Sequence, residues 1–168
     1  GDRSGVSISL SADGSILAIG ADGNDSNEGK YSSGHVRIYK NSGGLWQQLG
    51  SDIDGEGSGD GSGASISLSS DGTVVAIGAT YNAENTVTKG HVRIYQYNNG
   101  SWQQLGSDID GEATNDQAGS AVSLSGNGST VAIGAKYNDG NGSISGHVRL
   151  FQFNSANNRW TQIGSDIN

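Results

Sequence analysis

The hexapeptide Gly-His-Val-Arg-Ile-Tyr occurs at 34–39, recurs at 90–95, and returns as Gly-His-Val-Arg-Leu-Phe at 146–151, a spacing of 56 residues each time. Other segments recur with it, at steps of 56 or 58 residues. WQQLGSDIDGE starts at Trp46 and at Trp102, and WTQIGSDIN starts at Trp160. SISLSADGSILAIGA, SISLSSDGTVVAIGA and VSLSGNGSTVAIGA complete the unit. Repetition at this period calls for one supersecondary unit per repeat, each burying its apolar face on the next. We read the units as 1–56, 57–112 and 113–168, with length differences confined to loops.

Each unit reads as four short strands. In the first, strand A is Val6–Leu10, where Val6, Ile8 and Leu10 alternate with Ser7 and Ser9, the period of a half-buried strand. Asp13-Gly14 signals a tight hairpin. Strand B is Ile16–Ala21, an apolar run whose Ala18 and Gly20 leave room for close backbone approach. Strand C is His35–Lys40, with Val36 and Ile38 on one face and His35, Arg37 and Tyr39 on the other. Strand D is Leu45–Ile53 and carries Trp46. Composition agrees: 29 Gly and little Leu, Ala, Glu or Lys disfavour helical bundles. Four antiparallel strands per unit, repeated, predict an all-β chain of three β-propeller blades.

The pattern SGxSISLSxDGxxxAIGA followed by GHVRIY resembles the FG-GAP repeat of integrin α-chain propellers and of related bacterial and algal surface proteins. Gly5, Gly63 and Gly119 fall at that family's FG glycine. Ile19-Gly20-Ala21, Ile77-Gly78-Ala79 and Ile133-Gly134-Ala135 fall at its GAP end, without the proline. The residues before the first glycine are Ser4, Ser62 and Ala118 where the family has an aromatic. The family's A–B calcium loop is shortened to Ala12-Asp13-Gly14, Ser70-Asp71-Gly72 and Gly126-Asn127-Gly128, too few carboxylates for the six to eight oxygens that calcium takes. The resemblance implies an extracellular binding or adhesion module, secreted or on a cell surface.

Strand parity sorts the charge. The B–C and D–A connections leave on one face, and they hold all of the 17 acidic residues except Asp13 and Asp71. The B–C loops include Glu28 and Glu84. The D–A segments carry Asp52, Asp54, Glu56 and Asp60, then Asp108, Asp110, Glu112 and Asp116. Oxygen donors at alternate positions suit a hard cation, with Ca2+ the possible cofactor, while the same residues also serve turns by accepting from backbone amides. Trp46, Trp102 and Trp160 could stack on sugar rings or pack between blades. His35, His91 and His147 recur once per unit and read as a structural polar ladder, each Arg two residues on pairing with an acid of the neighbouring D–A segment.

The net charge of −8 argues against nucleic acid. No apolar run approaches the roughly 20 residues of a bilayer span. With 0 Cys there is no disulfide frame or thiol nucleophile, and no Ser-His-Asp constellation stands out. The sequence therefore predicts no enzyme. It predicts a non-catalytic binding or adhesion module presenting the acidic B–C/D–A face to a ligand, a glycan or a cell-surface protein. The alternatives are a lectin with one site per blade, and a structural, self-assembling repeat. Three blades do not close a ring, so the expected partner is a second copy, forming a six-bladed dimer, or adjacent repeats of a longer chain.

Overall fold

The computed structural model describes residues 1–26, 29–84 and 87–168, so Glu28 and the side chain of Glu84, both assigned above to the acidic face, lie outside it. Among the described residues the chain is all β. Unit 1 comprises β1 (Ser7–Leu10), β2 (Ile16–Ala21), β3 (His35–Ser42), β4 (Leu45–Gln48) and β5 (Ile53–Asp54). Unit 2 comprises β6 (Ser62–Leu68), β7 (Val74–Ala79), the small hairpin β8 (Ala83–Glu84) and β9 (Val87–Thr88), β10 (His91–Asn98), β11 (Ser101–Gln104) and β12 (Ile109–Asp110). Unit 3 comprises β13 (Ala118–Leu124), β14 (Thr130–Ala135), β15 (His147–Asn154) and β16 (Arg159–Gln162).

Each unit is an antiparallel four-stranded meander, β1-β2-β3-β4 in the first case, with β5 added to β3. The A–B turns are held by side chains. Asp13 Oδ1 accepts from Ser11 Oγ at 2.7 Å and from the Ser15 amide at 2.9 Å. Asn127 takes the same place in unit 3, accepting from Ser125 Oγ and the Ser129 amide. A neutral amide does the work of the carboxylate, so the position serves the turn.

One expectation about the strands is corrected. Strand D is not continuous from Leu45 to Ile53. Tyr39 pairs with Gln48 but Val36 pairs with Ile53, so two extra residues bulge out between β4 and β5. Gly50 makes the bend at φ +78°, a conformation that side chains with a Cβ rarely adopt. The Leu49 amide donates to the Ile38 carbonyl inside the bend at 2.7 Å. Gly106 and Gly164 repeat it at φ +78° and +75°.

The core lies between the sheets. One cluster joins Ile16, Ala18, Val36, Ile38 and Ile53 of unit 1 to Ile66, Leu68, Val75 and Ile77 of unit 2. The other joins Val74, Ala76, Val92, Ile94 and Ile109 of unit 2 to Leu124, Val131, Ile133 and Phe151 of unit 3. β7 is therefore buried along its whole length, whereas β2 and β14 alternate between buried and half-buried positions. The sheets approach closely at their inner strands. A Cβ on Gly78 would stand 2.2 Å from the Gly119 carbonyl oxygen, which explains the small residue there. Serines bridge the same seam: Ser7 Oγ donates to the Gly63 carbonyl at 2.7 Å, and Ser9 Oγ accepts from the Leu68 amide at 3.0 Å.

Candidate functional site

The bulge in strand D decides which side chains meet. By adding two residues it sets Ile53 against Val36 and Asp54 against His35, and Ile109 against Val92 and Asp110 against His91. Each histidine stands at the first position of its strand with its ring beneath the D–A segments. Three groups result: His35 with Asp52 and Asp54, His91 with Glu56 and Asp108, and His147 with Glu112 and Asp166. In the second and third groups the glutamate comes from the preceding unit, so those sites span a junction.

The histidine rings are buried: the side chains of His91 and His147 are each 2% exposed. Burial, and then the charge of Arg93, push the His91 pKa down to about 4, against the opposing pull of Asp108. Burial and Arg37 likewise lower His35. His91 is therefore neutral at pH 7, and its approach to Asp108 is not an ion pair. The Nδ1 to Oδ2 distance is 3.6 Å, and the His147 Nδ1 lies 3.7 Å from both Glu112 Oε2 and Asp166 Oδ2. These are too long for hydrogen bonds. They are near the roughly 3.4 Å that separates two ligands on one tetrahedral ion with bonds of about 2.1 Å. The ligand atoms of each group lie within 4.8 Å of one another. Nε2 of His91 and of His147 is buried without a hydrogen-bond partner. Neutral imidazole is the form that ligates metal. His and acid side chains that could hold a metal ion are thus present in every unit.

A cavity of about 420 Å³ opens over the His91 group and is lined by Glu56, Gly57, Asp60, Asn82, Ala83, His91, Asp108 and Asp110. Burial raises the pKa of Glu56, with Arg93 pulling the other way. The Arg93 guanidinium reaches Glu56 Oε1 at 3.4 Å and donates to the Asp54 carbonyl at 2.7 Å. Arg149 repeats both contacts with Glu112 and Asp110. The expected pairing of each Arg with a neighbouring D–A acid holds for Arg93 and Arg149, while Arg37 turns to Asp52 of its own unit, at 2.8 Å.

The candidate metal residues divide. Asp52, Asp54, Glu56, Asp108 and Glu112 join His groups. Asp60 and Asp116 do not: Asp60 Oδ2 accepts from the Gly57 amide and Asn82 Nδ2, and Asp116 Oδ2 accepts from the Ala113 amide and Asn138 Nδ2. They hold loops. Asp110 lines the cavity outside the His91 group. The sequence sets the histidines aside as a structural ladder, because equivalent residues of different units stand apart; the three groups indeed hold one histidine each, and what the sequence does not show is which acids the break in strand D brings beside it. A lone glycine within a strand pattern, Gly50, was the available sign of a bulge. The tryptophans also divide. Trp102 Nε1 donates to the Leu49 carbonyl and Trp160 Nε1 to the Leu105 carbonyl, both at 2.7 Å, across the junctions. Trp46 is 44% exposed.

No protein-family model matches the chain, and no curated protein matches it in sequence. Solved structures share its fold. A candidate 6-phosphogluconolactonase from Bacteroides uniformis superposes with a TM-score of 0.63 at 13% identity, over 96% of this chain and 40% of its own. One from Bacteroides fragilis gives 0.64 at 16%, over 96% and 38%. The periplasmic gluconolactonase of Pseudomonas aeruginosa gives 0.58 at 18%, over 94% and 39%. This chain spans about two fifths of the length of these proteins. Likeness at such identity is one of fold. It nevertheless corrects the expectation of a non-catalytic module, whether adhesion protein, lectin or structural repeat, together with the FG-GAP character attached to it. These three proteins are named as a gluconolactonase and two 6-phosphogluconolactonases, so the missing Ser-His-Asp constellation gave no ground for excluding catalysis. Among the described residues no helix is long and apolar enough to cross a membrane.

Proposed function

We propose that the three units are blades of a β-propeller hydrolase that opens the ring of a sugar lactone, with the cavity over His91 as its site. The observation that carries this reading is the junction group itself. A buried neutral imidazole and two carboxylates share one point on the wall of a polar cavity, on a fold shared with lactonases. One nitrogen with carboxylate oxygens suits the borderline ion Zn2+, or Mn2+ with its preference for carboxylate and a smaller ligand number, better than Ca2+, which takes six to eight oxygens. Such an ion would polarise the lactone carbonyl and acidify an attacking water. His91, Asp108 and Glu56 would hold it, and Arg93 would keep Glu56 oriented. Asp110, on the same wall, would take the proton of the water as its oxygen bonds to the carbonyl carbon. The ring C–O bond then breaks, and the proton returns to the ring oxygen to give the open hydroxy acid.

The acid-lined wall disfavours a phosphorylated substrate, whose dianion it would repel, so the substrate class proposed is an uncharged aldonolactone. The Pseudomonas relative is periplasmic by its name, which supports a location outside the cytoplasm. The test is acid release from glucono-1,5-lactone in a pH-stat, with and without Mn2+ or Zn2+. The expected result is ion-dependent hydrolysis above the buffer rate, reduced at least tenfold by His91→Gln. Hydrolysis no faster than in buffer under every condition would overturn the proposal.

A further inference from the structure

The groups at His91 and His147 are built alike, and the group at His35 is not. In every unit a glutamine four residues before the strand D aspartate donates to its Oδ1: Gln48 to Asp52 at 2.6 Å, Gln104 to Asp108 at 2.5 Å, and Gln162 to Asp166 at 2.8 Å. That bond orients the carboxylate and leaves Oδ2 on the side of the histidine. The arginines differ. Arg93 and Arg149 are buried and reach back to the preceding unit, donating to the Asp54 and Asp110 carbonyls at 2.7 Å and approaching Glu56 and Glu112. Arg37 is exposed and stays within its own unit. Its Nε donates to Asp52 Oδ2 at 2.9 Å, and its Nη2 lies 2.8 Å from the same oxygen. Both oxygens of Asp52 are therefore taken. Among the described residues nothing donates to Oδ2 of Asp108 or of Asp166, which face His91 Nδ1 at 3.6 Å and His147 Nδ1 at 3.7 Å.

We propose that the His147 group is a second ion site, so that this chain binds two Zn2+ ions of similar affinity, one at His91 and one at His147, and leaves His35 empty. The donors of the second site are His147 Nδ1, Glu112 Oε2 and Asp166 Oδ2, with water completing a tetrahedron. Nδ1 stands 3.7 Å from each carboxylate oxygen, close to the roughly 3.4 Å between two ligands of one tetrahedral ion. The ring makes no hydrogen bond: Nδ1 is too far from both acids, and Nε2 is buried without a partner. Nothing therefore ties the proton to Nδ1, and its lone pair is available to an ion. Lys136, which shares a cavity with His147, holds its ammonium over the Tyr137 ring, 4.9 Å from the centroid. At His35 an ion would have to displace Arg37 from Asp52. Glu112 belongs to unit 2, and His147 and Asp166 to unit 3, so the second ion clips the two units together. An ion held only by the folded chain stabilises it. This inference shares its ion chemistry with the hydrolase reading and needs no lactone.

The test is the zinc content of the untagged chain after equilibrium dialysis at micromolar free Zn2+, read by atomic absorption. The wild type should hold two ions. Glu112→Gln, at an exposed position that the fold tolerates, should hold one, as should Glu56→Gln, and the double variant none. Asp52→Asn should still hold two. In Glu56→Gln, where the His147 site alone is intact, Zn2+ should raise the thermal midpoint, and the rise should vanish in the double variant. A single ion in the wild type that Glu112→Gln leaves in place would overturn the proposal while keeping an ion at His91. A third ion of equal affinity, lost in Asp52→Asn, would overturn the restriction to two units. No ion in Glu56→Gln would overturn the second site even if glucono-1,5-lactone were hydrolysed. Two ions without hydrolysis would support this inference and strike only the hydrolase reading.

Discussion

At the residue scale, His91 is defined by burial next to charge. In the unfolded chain its imidazole titrates near the usual 6.5, and in the folded protein near 4. Above pH 6.5 both states are neutral and the group contributes nothing to pH dependence. Between 6.5 and 4 the unfolded chain takes up a proton that the folded chain refuses, so stability falls as the pH drops through this window. The loss is on the order of 3 kcal/mol. His91→Gln removes this linkage. Urea midpoints of the wild type should fall between pH 7 and pH 4.5 by clearly more than those of the variant, and parallel slopes would show that His91 titrates normally. The sequence revealed that His91 recurs, but not that it is buried against Asp108. Its neighbours on the strand, Val92 and Arg93, do not tell which acids the D–A segment brings across.

At the scale of elements, the strands were readable from alternation. Val36 and Ile38, Ser7 and Ser9, and the Asp13-Gly14 turn fall where period and turn chemistry put them. The break in strand D was not read, because its effect is on register: sliding by two residues keeps every side chain on its expected face while changing its partner. Gly50 and Trp102 explain each other only once adjacent units are side by side. The indole N–H then satisfies the Leu49 carbonyl that the bulge releases from the β ladder. Trp102→Phe keeps an aromatic ring but removes this donor. It should cost about 1 kcal/mol in unfolding free energy by denaturant titration. Trp46→Phe, with no such acceptor among the described residues, should cost much less. Equal losses would show that the bond at Leu49 does not stabilise the junction.

At the scale of the whole molecule, the buried apolar faces and the His–carboxylate groups are located at the same junctions. The sheets bury their apolar faces only on one another, and the His91 and His147 groups are completed by glutamates from the unit before. Repetition in the sequence revealed this stacking. It could not reveal the chemistry, since a group assembled from Glu56, His91 and Asp108 draws on segments 35 and 17 residues apart that only the junction brings together. The most direct measurement is Mn2+ titration followed through the histidine ring signals by NMR. Our account predicts that the His91 ring broadens at substoichiometric Mn2+, and that Glu56→Gln, in the preceding unit, weakens the effect at His91 at least tenfold. A His91 signal unchanged at millimolar Mn2+ would contradict it.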